Sequence, residues 1–329
     1  MIVDAHNDLL IELLWREGEG EENPFAEHWR PKLDAGRVEL QVCPIFIEAQ
    51  YLPDAAPRMA LKLAATFWRI IGANAGVRAV LSRRDLDGAG LKLMLSLEGV
   101  EPLGSDPELL DAFSRLGVRM VGLTWNRRNA FADGAGELGG LSILGRDLVS
   151  RFAELGIVLD LAHASEQTFA EALEHSPGAQ VVVSHGCCRA VHDTPRNLSD
   201  DQLRALAERK GVLGMMALPL VVDPHAPTLE RLVDHVDHAV EVMGIEHVGL
   251  GGDFIRQLFD SGAARIPARE RTFASSSAEA HRGLDELPGP ERYPDLVEVL
   301  RRRGYDGERL DAVLRGNFLR VLRAALLDE

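Results

Sequence analysis

The feature that most constrains the fold is a series of short apolar segments, most of them separated by stretches with the periodicity of an amphipathic helix. Eight strand-like segments alternating with helices are typical of a (β/α)8 TIM barrel, in which all strands are parallel. The segments are residues 2–8, 38–47, 91–98, 118–124, 157–163, 181–185, 212–218 and 247–253. A doubly wound open sheet is the alternative, but no Gly-x-Gly-x-x-Gly motif follows the first segment.

The whole chain, residues 1–329, fits one barrel domain, in which residues 293–329 form a C-terminal helical cover. Ser165 is placed to cap a helix. Residues 17–34 are acidic, which predicts a loop. Residues 254–292 lack an apolar period, which predicts a long loop on the active-site face. Apolar periodicity predicts helices at 56–71, 106–116, 140–155, 166–175, 200–209 and 229–243.

Composition and charge argue against several classes of protein. A net charge of −15 at pH 7 argues against a nucleic acid or an anionic membrane surface as the main partner. Three cysteines are too few for a disulfide framework, which indicates a reducing compartment. Because neither a leader nor a membrane-spanning segment is evident, we expect a cytoplasmic location.

Histidines and carboxylates follow the predicted strands at the end where barrel enzymes hold their active sites. A single histidine at such a position is usually structural, and a single carboxylate often caps a helix or binds loop amides. His6 and Asp8 stand two residues apart, so a strand would direct both side chains to one face. Six residues of this kind exceed what capping requires, and together they predict a metal site. They are His6, Asp8, Glu98, His163, His185 and Asp253.

Three imidazoles and three carboxylates exceed the four ligands of one tetrahedral zinc ion. Shared between two ions about 3.5–4 Å apart, with one carboxylate bridging, the number fits. A metal lowers the pKa of bound water from about 15.7 to roughly 7. General acid–base catalysis without a metal accelerates a reaction only about 10²–10⁴-fold, which is too little for the hydrolysis of an amide bond. The constellation therefore indicates hydrolysis by attack of hydroxide on a carbonyl carbon or a phosphorus centre.

Eight short motifs extend this pattern over nearly the whole chain. They are DAHND (4–8), SLEG (96–99), LDLAHAS (159–165), SH (184–185), TPRN (194–197), HVGLGGDF (247–254), YPDL (293–296) and GNFLRV (316–321). In these motifs and in their order the chain resembles the membrane (renal) dipeptidase family, metallopeptidases of the amidohydrolase-like barrel superfamily. The resemblance implies two zinc ions per chain. His6 and Asp8 would hold the first, His163 and His185 the second, and Glu98 would bridge them.

The resemblance also assigns two further roles. Asp253 would lie near the first zinc ion and carry the proton of the attacking hydroxide to the leaving amine. Arg196 would by itself be an exposed loop arginine, but by the resemblance it clamps the free carboxylate of a short peptide, for which its planar fork is suited. The implied activity is a dipeptidase that uses a metal-bridging hydroxide and allows a D-residue at the C-terminal position. The resemblance favours a homodimer.

One stretch departs from the family pattern. Many members carry a histidine that contacts the substrate carbonyl where this chain has Trp125. Tryptophan donates a hydrogen bond but cannot accept one or carry a positive charge, and losing an oxyanion donor costs about 10²–10³ in turnover. Trp125 is expected either to pack as a lid over the strand end or to contact the substrate. Asn129 and Asp133 are candidates for binding the substrate's amino group.

Other polar residues are predicted to be structural. Cys187 and Cys188 lack a neighbouring base and orienting group, so they are expected to pack in the core. His225, His235 and His238 are expected on the solvated face of a helix. Two alternative functions stay open, a zinc hydrolase of another amide, N-acyl amino acid, lactam or ester, and a non-catalytic metal-binding homologue. The sequence also leaves open the preferred substrate side chains, the native metal, the oligomeric state and the pathway.

Overall fold

The computed structural model describes residues 1–262 and 283–328. Within these residues, nine parallel β-strands form one sheet. The strands are β1 (Ile2–Asp4), β2 (Val38–Phe46), β3 (Val77–Ala79), β4 (Leu91–Glu98), β5 (Val118–Gly122), β6 (Val158–Asp160), β7 (Val181–Gly186), β8 (Val212–Met215) and β9 (Val248–Leu250).

Helices follow most of the strands. Within the described ranges they are α1 (Leu9–Gly18), α2 (Arg30–Ala35), α3 (Ala56–Ala73), α4 (Leu109–Arg115), α5 (Ile143–Ser150), α6 (Phe152–Leu155), α7 (Glu166–His175), α8 (Asp200–Glu208), α9 (Pro219–Val222), α10 (Leu229–Met243), α11 (Arg256–Asp260), α12 (Tyr293–Arg302), α13 (Gly307–Asp311) and α14 (Asn317–Ala325). No helix of this set is both long enough and apolar enough to cross a membrane.

Eight of the strands close into a barrel. Their order around the ring is β1-β2-β4-β5-β6-β7-β8-β9. The ring closes because β2 pairs with β4 along most of its length and β1 pairs with β9 at Asp4 and Leu250. β3 lies outside the ring and pairs with the first residues of β4. Each of the eight predicted segments overlaps one ring strand, so the predicted (β/α)8 barrel is confirmed and an open sheet is excluded.

The barrel interior is filled by alternate strand residues and closed at its N-terminal end by α14. Val3 and Met94 belong to one buried cluster with Phe318 and Val321 of that helix. Gly249 in β9 has no side chain where one would collide, since a Cβ atom there would lie 2.4 Å from the Phe318 ring. The tail, predicted as two or three short helices, is helical and seals the end of the barrel opposite the candidate site.

The prediction of a loop over residues 17–34 is wrong. Most of this stretch lies in the end of α1, a π-helical turn and α2. Phe25, Trp29 and Leu33 recur every four residues and are all buried, and the Trp29 indole donates a hydrogen bond of 2.9 Å to Glu12. The acidic residues between them dominate the composition and obscure this helical period.

Smaller differences concern the ends of elements. The helix predicted over 140–155 is two helices, α5 and α6. Ser165 caps α7 as predicted, because its hydroxyl accepts a hydrogen bond from Thr168 N at 3.0 Å. In the stretch 254–292, α11 replaces the start of the predicted loop, and residues 263–282 lie outside the described residues. β1 and β6 end before their candidate ligands, which therefore occupy turns rather than strand ends.

Candidate metal centre

The six candidate ligands converge at the C-terminal ends of the ring strands. Glu98 is the last residue of β4 and His185 lies in β7, whereas the other four lie in turns just beyond β1, β6 and β9. Alternation along β4 continues the inward face of Met94 to Glu98, which directs this carboxylate over the barrel axis. None of the six is more than 7% exposed. They are His6, Asp8, Glu98, His163, His185 and Asp253.

Two overlapping groups of ligand atoms share His6. One consists of His6, Asp8 and Asp253, whose ligand atoms all lie within 4.8 Å of one another. The other consists of His6, Glu98 and His185, with the same limit. The spacing argument that paired His6 with Asp8 assumed a strand, but the strand has ended at Asp4. The two side chains nevertheless converge, through the turn that leads into α1.

Glu98 lies between the histidines. Its Oε2 is 3.7 Å from His6 Nε2, while its Oε1 is 3.1 Å from His163 Nε2 and 3.7 Å from His185 Nε2. A carboxylate whose two oxygen atoms face different histidines has the arrangement of a bridging ligand in a two-metal site.

Two of the candidate ligands hold a left-handed backbone conformation. The φ angles are +63° at His163 and +49° at Asp253, a region that costs roughly 1–3 kcal/mol for a residue with a side chain. The surroundings hold both turns in place. Ala135 N and the Thr124 hydroxyl donate to His163 O at 2.7 and 3.2 Å, and Asp253 N donates to His6 O at 3.0 Å. Strain of this kind is concentrated at functional sites.

Hydrogen bonds to the outer ring nitrogens aim two imidazoles at the cluster. His163 Nδ1 donates to Asn126 Oδ1 at 2.7 Å. His185 Nδ1 donates at 2.8 Å to the Ser184 hydroxyl, which itself donates to Asp160. Each ring therefore presents the lone pair of its Nε2, and these two atoms lie only 2.8 Å apart. Lone pairs at this separation repel each other unless a cation compensates, so the donor set fits a metal.

The protonation states of the histidines agree with metal binding. Burial, aided by the nearby Arg196, lowers the pKa of His6 to about 3. Burial also lowers the pKa of His185 well below its usual value, and the neighbouring His6, Arg196 and His163 add to the effect. Neutral imidazole is the form that binds metals. Within the described part of the chain, His6 Nε2 is buried and has no hydrogen-bond partner, and a buried nitrogen of this kind fits the role of a metal ligand.

A buried aspartate supports the turns beyond β1 and β9. Asp4 Oδ1 accepts hydrogen bonds from His6 N at 3.2 Å and from Gly252 N at 3.0 Å. Burial raises the pKa of Asp4 to about 6, although these hydrogen bonds oppose the rise. The carboxyl group thereby connects the turn that carries His6 to the turn that carries Asp253.

Arg196 lies beside the cluster, and the exposure expected for a loop arginine is wrong. Its side chain is buried, and its Nη2 donates to His185 O at 3.0 Å. Burial lowers its pKa, while the carboxyl groups of Asp253 and Glu98 act in the opposite direction. Its Nε has no hydrogen-bond partner among the described residues. Because Arg196 lines the same cavity as the candidate ligands, it offers a donor to an anion bound there.

The residues beyond β5 are divided between the cavity and the protein framework. Trp125 lines the cavity, half-buried, with its ring 6.0 Å from that of His163. Asn129 does not belong to the described cavity lining. Its amide donates to Leu123 O at 2.8 Å and accepts from Phe131 N at 2.9 Å, so it fastens its own loop.

Asp133 likewise lies in the framework. Its carboxylate accepts hydrogen bonds from Arg128 Nε and Nη2, at 2.6 and 2.7 Å, and from Gly139 N at 2.7 Å. The Arg128 side chain beside it holds the pKa of this carboxyl below its ordinary value. With these partners, Asp133 shapes the loop rather than the cavity wall.

Sequence reasoning missed the residues that orient the histidines. These residues are Asn126, Ser184 and Asp160. The sequence signal for them is weak, because each is simply a polar residue beside or within an apolar strand. His235 was predicted on a solvated helix face, and this is wrong. It is fully buried, accepting from Cys188 N at 3.0 Å and donating to Val222 O at 2.9 Å. The three cysteines are free and buried.

A closed parallel barrel with a buried histidine and carboxylate cluster at the C-terminal ends of its strands defines a metal-dependent hydrolase of the amidohydrolase-like class. Residues 1–264 match the family described as membrane dipeptidase, peptidase family M19. The chain belongs to this family, whose members are metallopeptidases that act on peptide bonds.

Individual relatives agree with this membership. An uncharacterized dipeptidase of Schizosaccharomyces pombe is 30% identical, over 97% of this chain and 80% of its own length. Dipeptidase 3 of Mus musculus is also 30% identical, over 98% of this chain, which spans 64% of that relative. The solved structure of a metallopeptidase from Rhodobacter sphaeroides, liganded with a phosphinate mimic of the dipeptide L-Ala-D-Ala, has a TM-score of 0.82 at 23% identity and covers 98% of this chain and 99% of its own.

Proposed function

We propose that this chain is a binuclear zinc dipeptidase that hydrolyses dipeptides with a free C-terminal carboxylate, including those with a D-residue at that end. The observation that carries the proposal is Glu98, which directs one oxygen toward His6 and the other toward His163, beside the buried Arg196. The names of the curated relatives support the substrate class. The ligand of the Rhodobacter sphaeroides neighbour is the reason for including a D-residue.

The division of the ligands between the two zinc ions is the one that the family resemblance implies, and the close approach of His6 to Asp8 and of His163 to His185 supports it. His6 and Asp8 would hold one ion, His163 and His185 the other, and Glu98 would be shared. When bound, the ions supply a water molecule activated near neutral pH and polarise the scissile carbonyl. The other functions of the site fall to the side chains of the protein.

Asp253 is the proposed proton carrier. Its Oδ1 lies 3.8 Å from His6 Nε2, and the side chain lines the cavity. In this position the carboxylate takes a proton from the attacking water and gives it to the nitrogen of the leaving amine, which departs as the C–N bond breaks. One group thus serves as base and then as acid in a single turnover.

Arg196 and Trp125 are the proposed substrate contacts. The guanidinium of Arg196 binds the C-terminal carboxylate, for which its Nε is available because it has no hydrogen-bond partner among the described residues, and this contact excludes amides and longer peptides at that end. Trp125 can donate its indole N–H to a substrate oxygen. If the Trp125 ring instead makes room for a different acyl group, the site hydrolyses another amide. Hydrolysis of another amide is the second candidate function.

A zinc count combined with a substrate screen tests the proposal. The zinc-loaded protein is assayed with L-Xaa-L-Xaa and L-Xaa-D-Xaa dipeptides, each with a free and with an amidated C-terminus. We expect two zinc ions per chain, turnover of the free forms and little turnover of the amidated forms. Equal cleavage of both forms would refute the role of Arg196. Two zinc ions without turnover of any dipeptide would refute the dipeptidase and favour the second candidate.

A further inference from the structure

Five of the residues that line the cavity are apolar and come from neighbouring parts of the barrel rim. They lie in the turn after β8, in α9 and just beyond β9. We call this set of residues the apolar wall, and its members are Met216, Leu218, Leu220, Val221 and Ile255. The other described lining residues are candidate metal ligands together with Arg196, Trp125 and Asn126. The cavity lining therefore has a polar part, where the chemistry takes place, and an apolar part with no ionisable side chain.

The apolar wall is fastened to the turn that carries the arginine. Asn197, the residue next to Arg196, donates its side-chain amide to Val221 O at 2.8 Å. The backbone of Met216 donates to Gly186 O at 3.1 Å, one residue beyond His185. The buried His235 adds a bond to the carbonyl that follows Val221. These contacts fix the position of the wall relative to the guanidinium of Arg196 and to the metal centre.

We propose that the apolar wall binds the side chain of the substrate residue that bears the free carboxylate, and that it selects apolar, uncharged side chains there. The inference rests on the proposed function. A carboxylate held by Arg196 is bonded directly to the Cα of its own residue, and the side chain on that carbon is within reach of the wall, which is hydrogen-bonded to the turn of Arg196 and lines the same cavity. An apolar side chain leaves water for a matching surface. An amide or a carboxylate loses its hydration there without gaining a partner.

Near-isosteric substrates provide the test. The zinc-loaded protein is assayed with L-Ala-Leu, L-Ala-Asn and L-Ala-Asp, the second residue being supplied in both L and D forms. We expect kcat/KM for leucine to exceed that for asparagine by at least about tenfold, and that for aspartate by more. Turnover of all three at similar rates overturns the inference but leaves the proposed function standing. Absence of any turnover overturns the proposed function and the inference with it.

A charge introduced into the wall provides a second test. Leu220 is half-buried at the cavity, so Leu220→Lys can present an ammonium group there. In this variant, the ratio of kcat/KM for L-Ala-Asp to kcat/KM for L-Ala-Leu should rise by at least about tenfold, because the ammonium group attracts the aspartate side chain. Leu138→Lys is the matched control, because Leu138 is 94% exposed and lies outside the described cavity lining. An unchanged ratio in a folded, zinc-loaded Leu220→Lys protein overturns the inference. If that variant does not fold, the substrate series on the unmodified protein decides.

Discussion

Replacing Ser184 by alanine would remove the group that orients His185. Ser184 is fully buried, and its hydroxyl lies 2.8 Å from His185 Nδ1 while it donates to Asp160. In the variant the imidazole loses the acceptor that fixes its tautomer, and the carboxyl group of Asp160 loses a donor. The loss of an outer hydrogen bond of this kind weakens metal binding about 10–100-fold. At about 1.36 kcal/mol for each factor of ten, the free energy of zinc binding becomes less favourable by about 1.4–2.7 kcal/mol.

Zinc affinity measured by competition with a chromophoric chelator at pH 7 tests this expectation without relying on turnover. Ser150→Ala is the matched control, because the Ser150 hydroxyl is exposed on α5 and donates to the Asp147 carbonyl. Circular dichroism establishes that both variants are folded. If the Ser184 variant binds zinc within a factor of two of the unmodified protein, the orienting role of Ser184 is refuted.

Three further variants test the arginine, a buried histidine and the closed end of the barrel. Arg196→Lys keeps the charge but loses the planar fork, so the preference for free over amidated dipeptides in kcat/KM should fall about 10–100-fold; an unchanged preference would contradict the clamp. Burial lowers the pKa of His235 to about 4, so the unfolded state binds more protons as the pH falls from 6.5 to 4. In the metal-free protein, His235 should therefore contribute up to about 3 kcal/mol to the unfolding free energy that is lost across that window, measured with urea, and His235→Gln should lose less by about that amount; equal losses would exclude a contribution from His235. Gly249→Ala places a Cβ atom 2.4 Å from the Phe318 ring and should lower the unfolding free energy by about 1–3 kcal/mol. Gly72→Ala, whose Cβ meets no atom within 4 Å, should raise it by up to about 1 kcal/mol, and equal effects of the two changes would argue against the packing of α14 into the N-terminal end of the barrel.

The barrel was predictable from the sequence because parallel strands buried on both faces are continuous apolar segments with conspicuous ends. Glu98 illustrates the strength of this pattern, since it ends both the predicted and the observed strand. His163 and Asp253 show its limit. Both lie in left-handed turns beyond their strands, and periodicity does not distinguish a strand from the turn that follows it. Their convergence could be inferred only from the shared edge of the barrel.

Residues whose environment depends on distant parts of the chain were the hardest to predict. Arg196 looked like a surface residue because it belongs to a proline-containing turn, but long-range packing buries it against His185. Asn129 lies close in sequence to Trp125, yet its amide is used to close its own loop. His235 is buried because two other segments provide hydrogen-bond partners for its ring. The partners of Arg196 and His235 are too distant in sequence to leave a local pattern, whereas the partners with which Asn129 closes its own loop lie within six residues.

We infer that the six buried side chains form a site for two metal ions. Isothermal titration of the metal-free protein with zinc, supported by elemental analysis of the loaded protein, tests it most directly. We expect two zinc ions per chain for the unmodified protein. Glu98→Gln should lose at least one strongly bound ion, because one oxygen atom of Glu98 faces His6 and the other faces His163. Binding of no zinc by the unmodified protein, or a Glu98→Gln protein that binds two ions as tightly, would contradict the inference.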